Sequence, residues 1–124
     1  MTPFGAKLRE LRAAREVSLK TMAEAIGVSG AYLSALEHGR RGAPTGYLVQ
    51  RIITYFNVIW DEAEDLERLA QESDPRITVD TAGLSPKATQ LANRLARHIG
   101  TLSEAEINAL LALLDAHAGA RRPR

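Results

Sequence analysis

Residues 19–39 read LKTMAEAIGVSGAYLSALEHG, and this stretch decides the fold. It holds two short helical segments, each opened by a serine and closed by a glycine. Ser18 stands where an N-cap belongs, with a hydroxyl oxygen that can accept from an early backbone N–H. Leu19, Met22, Ala23 and Ile26 then recur on one helical face, and Gly27 suits the left-handed position after the last turn. Ser29 caps the next segment, whose buried side is Tyr32, Leu33 and Leu36, and Gly39 ends it. Helices this short are marginal alone, so the pair needs partners to pack against.

Two short helices joined by a tight glycine-containing turn are the sequence form of a helix-turn-helix. Ala23 is small where the helices approach closely, and Gly27 relieves the turn of Cβ strain. Met22, Ile26, Val28, Leu33 and Leu36 are apolar where the pair must bury against neighbours on either side. Those neighbours are legible. Pro3 opens a first helix running to about Arg15, with Phe4, Leu8, Leu11 and Ala14 on its inner stripe. Pro44 and Thr45 open a fourth, with Leu48, Ile52, Ile53 and Phe56 as its core stripe. A fifth starts near Asp61, just after Trp60, and its first-turn Asp61, Glu62 and Glu64 favour the positive end of the helix dipole. Its few apolar positions, Leu66 and Leu69, predict a helix on the surface of this small domain.

Residues 74–84, DPRITVDTAGL, break the helical pattern with Pro75 and Gly83. Ile77 and Val79 alternate with Thr78 and Asp80, so a short strand is one reading of the break. A second helical unit follows. Ser85-Pro86 is an N-cap with proline behind it, and Ala88, Leu91, Ala92, Leu95 and Ile99 share a stripe that Gly100 stops. Ser103 and Glu106 form an S-x-x-E capping box, and Ile107, Leu110, Leu111 and Leu114 repeat the spacing. The expected organisation is all-α: a helix-turn-helix domain over 1–73, a linker over 74–84, a helical hairpin over 85–118 and a frayed tail over 119–124.

Charge is distributed unevenly within a net of +1. Residues 1–60 carry eight Lys and Arg against four Asp and Glu; residues 61–83 carry two against eight, and residues 84–124 six against three. A basic front half before an acidic segment fits a surface that faces DNA and another turned away from it; solvated charge is the plainer alternative. The chain has no cysteine, which removes disulfides and thiolate metal sites and fits a reducing cytoplasm. Neither a signal peptide nor a membrane span of about eighteen apolar residues is expected. His38, His98 and His117 lie far apart without H-E-x-x-H spacing, and no phosphate-cradling glycine loop occurs. The expectation is a non-enzyme with no metal and no cofactor.

At LRELR (8–12), MAEAIGVS (22–29) and YLSALEHGRR (32–41) the chain resembles the lambda-repressor-like (XRE/Cro type) transcriptional regulators. The resemblance covers residues 4–66, about half the chain. It implies a five-helix DNA-binding domain whose third helix lies in the major groove, and a structural salt bridge between Arg12 and Glu37. The DNA-facing candidates are then Ser29, Gly30, Ala31, Tyr32, Ser34 and Ala35. Ser29 and Ser34 can donate to phosphates or base edges, and Ala31 can pack on a thymine methyl. Tyr32 has two readings, a contact along the DNA and a partly buried core residue. Arg40 and Arg41 follow the helix within reach of phosphates, and Lys20 and Thr45 complete the set.

The chain departs from its look-alikes at Leu19, where a phosphate-contacting Gln is usual. It departs again at Gly30, Ala31 and Ala35, where Gln or Asn often read bases. Direct readout is therefore thin, and methyl contacts, Tyr32, loop arginines or DNA shape must carry specificity.

One copy with a few phosphate contacts binds weakly, on the order of 10⁻⁴–10⁻⁶ M without sequence preference. The hairpin suggests the remedy: Leu91, Leu95, Ile99, Ile107, Leu110, Leu111 and Leu114 pair with a second copy and set half-site spacing, unless the hairpin folds back on its own chain. The leading expectation is a homodimeric repressor on an inverted-repeat operator in double-stranded DNA. The competing class is an antitoxin-type protein that binds a partner polypeptide and autoregulates its operon. A ligand-sensing regulator is a third reading, with little room for a pocket.

Overall fold

The computed structural model describes residues 1–121, and side chains as far as Gly119. Among them are seven α-helices and no strand: α1 (Pro3–Arg15), α2 (Leu19–Ile26), α3 (Gly30–Glu37), α4 (Gly46–Phe56), α5 (Asp61–Gln71), α6 (Pro86–His98) and α7 (Glu104–Arg121). Ile77 to Asp80 form no strand, because no second segment offers them a ladder partner. The chain divides into two compact units, Met1–Ile77 and Thr78 onward.

Local chemistry explains where the helices start. Thr2, Ser18, Ser29, Thr45 and Ser85 each cap their helix by accepting a backbone N–H three residues on, with the hydroxyl oxygen satisfying a donor the helix leaves free. Pro3 and Pro86 follow their caps, where a missing N–H is harmless. Gly27, at φ 81°, closes α2 in the left-handed region that disfavours a Cβ. Glu16 and Asn57 close α1 and α4 in the same conformation.

The first unit is a ring of five helices around one core. α2 packs on α3 and α4, α1 on α3 and α5, and α4 on α5. Phe4, Leu8, Met22, Leu33, Ile52, Phe56 and Leu66 fill its centre without measurable exposure beyond 1%. The core corrects several pattern-based expectations. Ala14 is exposed and Leu19 and Ile53 only half-buried, whereas Val49 and Val58 join the core. α5 is not merely a surface helix, because Leu66 and Ala70 bury against α1 and α4. Ser73 then secures the chain end of this unit. Its buried hydroxyl accepts from the Phe4 N–H at 2.9 Å and donates to the Leu69 carbonyl, tying the start of α1 to the end of α5.

The second unit is built differently. α6 leads through a 3-10 turn (Ile99–Thr101) into α7, which opens with the reciprocal capping box. The Ser103 N–H donates to Glu106 Oε1 at 2.9 Å, and the Glu106 N–H to Ser103 Oγ at 3.1 Å. α7 continues through Arg121, beyond residue 118 where the hairpin was expected to end. The rest of the expected tail, residues 122–124, lies outside the described residues. No side chain of α6 is buried, and in α7 only Ile107 reaches half-burial among those described. No helix among the described residues is long and apolar enough to cross a membrane.

Candidate nucleic-acid interface

The position of α3 is set from its C-terminal end. Glu37, its last residue, is held to α1 three times. Arg12 Nη2 donates to both carboxylate oxygens of Glu37, at 2.9 and 3.1 Å, with the two side chains 14% and 3% exposed. The Thr2 N–H donates to the Glu37 carbonyl at 3.1 Å. Gly5 lies so close to the Glu37 backbone that a Cβ there would stand 2.2 Å from the carbonyl oxygen. The glycine is required by this approach, not by its own torsion angles. Arg12 and Glu37 form the ion pair that a resemblance implies, and they lie 25 residues apart. A pair this deeply desolvated gains from attraction only what burial has already cost it, so its main effect is to make one docking of α3 much better than others.

The other end of α3 is presented to solvent. The Ser29 hydroxyl accepts from the Tyr32 N–H at 3.0 Å, and Leu33 and Leu36 point into the core. Ser29 and Ala31 are exposed, while Gly30, Tyr32, Ser34 and Ala35 are half-buried. These six therefore lie on the accessible side and first turns of a helix whose other side is sealed. A Cβ on Gly30 would meet nothing within 4 Å, so the opening turn is uncrowded.

Tyr32 combines features of both of its readings. It packs against the edge of the core, and its ring lies under the Arg41 guanidinium at 5.6 Å from the centroid. That stack orders a side chain that would otherwise move freely on its loop. Arg40, Arg41, Lys20 and Thr45 are all exposed, and none of the three cations pairs with a carboxylate among the described residues. Thr45 also spends its hydroxyl on capping α4, accepting from the Leu48 N–H at 3.2 Å.

Three of the acidic side chains are engaged at α5. Asp65 pairs with Arg68, Glu62 with Lys7, and Glu67 accepts from Gln50, all on α5 or facing it. The resulting surface around α3 offers donors, methyl groups and free guanidinium ions, a set suited to a polyanion. Motif reading missed Thr2, Gly5 and Ser73, which position α3 and α1. Gly5 alone carried a signal, since glycine inside a helix is unfavourable by about 0.8–1.0 kcal/mol and asks for a reason.

The family described as "Helix-turn-helix domain" matches residues 3–71, more than half the chain. The HTH-type transcriptional regulator RghRB of Bacillus subtilis (strain 168) is 36% identical over 61 residues. That stretch is 49% of this chain and 44% of RghRB, so the chain spans under half the length of this relative. A chain of the solved SinR protein/SinI protein complex aligns over 94% of this chain and 98% of its own, at 18% identity and a TM-score of 0.44. By the family match and by the helix pair that α1, α4 and α5 enclose, the chain belongs to the lambda-repressor-like (XRE) helix-turn-helix family.

Proposed function

We propose that this protein is a sequence-specific transcriptional regulator of the cytoplasm, a repressor that binds an inverted-repeat operator in double-stranded DNA as a homodimer. One observation carries the reading: α3 is clamped at Glu37 and open at Ser29, with Arg40, Arg41 and Lys20, which pair with no carboxylate among the described residues, around it. A rigid helix with a free opening turn fits the width of a major groove. Repression requires the fewest further assumptions, because occupying a promoter needs no additional contacts.

The homodimer is supported by the second unit. Leu91, Leu95, Ile99, Leu110, Leu111 and Leu114 are between 39% and 67% exposed, with Ile107 half-buried beside them. A two-helix unit with this much uncovered leucine gains about 25 cal/mol for each Å² of apolar surface it removes from water. In this reading residues 84–116 pair with a second copy and set the distance between two α3 helices, about one DNA turn apart. Residues 74–84 serve as the link.

The test is selection of bound sequences from a random DNA pool, followed by two variants. Arg40→Ala should weaken binding to every sequence alike and lower the salt slope by about one. Ala31→Glu should abolish binding while leaving the fold intact, since Ala31 is exposed. Unchanged binding by Ala31→Glu would remove α3 from the reading role. Light scattering that finds a monomer at micromolar concentration would remove the dimer, and copurification of a second polypeptide would turn the reading toward a partner-binding protein.

A further inference from the structure

Arg51 and Tyr47 lie on α4, outside the helix-turn-helix, and no contact described above uses them. Tyr47 is 73% exposed and Arg51 is exposed one turn further on. An apolar ring in water and a cation without an anion each want an explanation. The two side chains hold each other: Arg51 Nη1 donates to Tyr47 Oη at 3.3 Å, and its guanidinium carbon lies 5.7 Å from the ring centroid. No carboxylate pairs with Arg51 among the described residues.

The place of this guanidinium is informative. Its two terminal nitrogens lie 3.5 Å from where a Cβ on Gly27 would stand. Gly27 closes α2, two residues before the Ser29 cap of α3. Arg51 therefore reaches from α4 across to the turn that leads into α3. A second arginine–tyrosine stack, Arg41 on Tyr32, stands at the first turn of α3 itself. The opening of α3 thus has a stacked guanidinium supplied from the chain behind it and another from α4, neither paired with a carboxylate among the described residues.

We propose that Arg51, oriented by Tyr47, is a DNA phosphate contact, so that the interface extends from α3 across the α2–α3 turn onto α4. The inference rests on the DNA-binding reading above and deepens it. A guanidinium fork suits a phosphate, because stacking and one bond to a phenol oxygen leave several N–H donors free. Pre-ordering by Tyr47 lowers the entropy lost when the contact forms. Tyr47 acts as a positioning residue.

The experiment is a titration of the full chain on one duplex, by fluorescence anisotropy, across a salt series. It compares wild type, Arg51→Ala, Tyr47→Leu, the double variant and Arg40→Ala. If Arg51 grips one phosphate, Arg51→Ala lowers the slope of log affinity against log salt by about 0.9, so its deficit grows about 3.5-fold from 200 to 50 mM salt. The loss is the same on an unrelated duplex, and the thermal midpoint stays put because both side chains are exposed. Tyr47→Leu weakens binding less, and adds nothing once Arg51 is alanine.

An Arg51→Ala slope equal to wild type, with Arg40→Ala lowering it, overturns this inference and leaves the DNA-binding reading standing. Equal losses from Tyr47→Leu with and without Arg51 overturn the positioning role. Wild-type protein that ignores DNA at low salt overturns both readings together.

Discussion

Replacing Arg12 with alanine tests how α3 is held. Glu37 has 3% of its side chain exposed, and Arg12 is its one ion-pair partner among the described residues. Removing the cation strands a carboxylate in the core, next to a backbone already committed to Thr2 and Gly5. Breaking a buried pair this way costs about 3–5 kcal/mol. The first unit, Met1–Ile77, falls in the size range where 1 kcal/mol moves the thermal midpoint by roughly 4–8 °C. The midpoint should therefore fall by at least about 12 °C, the lost 3–5 kcal/mol being a large fraction of the roughly 5–15 kcal/mol such domains possess.

The assay is thermal and urea unfolding of the full chain by circular dichroism, with methyl resonances of Leu33 and Leu36 assigning the transition to this unit. Arg12→Met with Glu37→Leu provides the control. Removing both charges eliminates the stranded ion, so most of the lost stability should return. Arg12→Ala that costs less than about 1 kcal/mol, the range of a solvated surface pair, would refute a buried clamp at α3.

Gly5→Ala should destabilise by about 1–3 kcal/mol, because the new Cβ pushes α1 from the Glu37 carbonyl, while Gly30→Ala, with open space around it, should not lower the midpoint; similar midpoints for the two would contradict the close approach. Leu66→Ala should cost about 2–5 kcal/mol, measured by urea unfolding, and a surface-like loss near zero would mean that α5 does not complete the core. Glu106 titrates below its ordinary value, chiefly because the Ser103 backbone N–H donates to it and secondarily through the Ser103 hydroxyl. Its folded value is depressed, so the help it gives the start of α7 is present above the unfolded carboxylate value and disappears as pH falls through the folded one. Ser103→Ala, which removes the hydroxyl but keeps the backbone N–H, should move the Glu106 titration part of the way back up in a carboxyl-carbon NMR series, and an unmoved curve would refute the hydroxyl's share.

The helix starts were legible in the sequence because capping is local. Ser18, Ser29, Thr45 and Ser85 each act on an N–H three residues away, and Ser103 with Glu106 span the same distance. Glycine at 27 and the apolar spacing of Met22, Ile26, Leu33 and Leu36 made the central helix pair equally plain. Faces were less secure at their edges. Ala14, Leu19 and Ile53 shared the inner stripe in pattern, but the breadth of a buried face depends on how many helices enclose it. α5 showed this best, since two apolar residues looked like a surface helix until α1 and α4 closed over Leu66.

What the sequence determined by itself was therefore the set of short-range elements: seven helix starts, the helix-turn-helix, and the residues on its open face. Tertiary structure decided the contacts that join distant positions. Ser73 meets Phe4 across 69 residues, Glu37 meets Thr2 across 35, and Arg51 reaches the Gly27 turn from another helix. A hydroxyl, a glycine or an arginine can occupy many environments, and spacing along the chain carries no information about which one folding brings to it. Only the return of the backbone to within a few ångströms selects the partner, and with it the direction in which α3 is aimed.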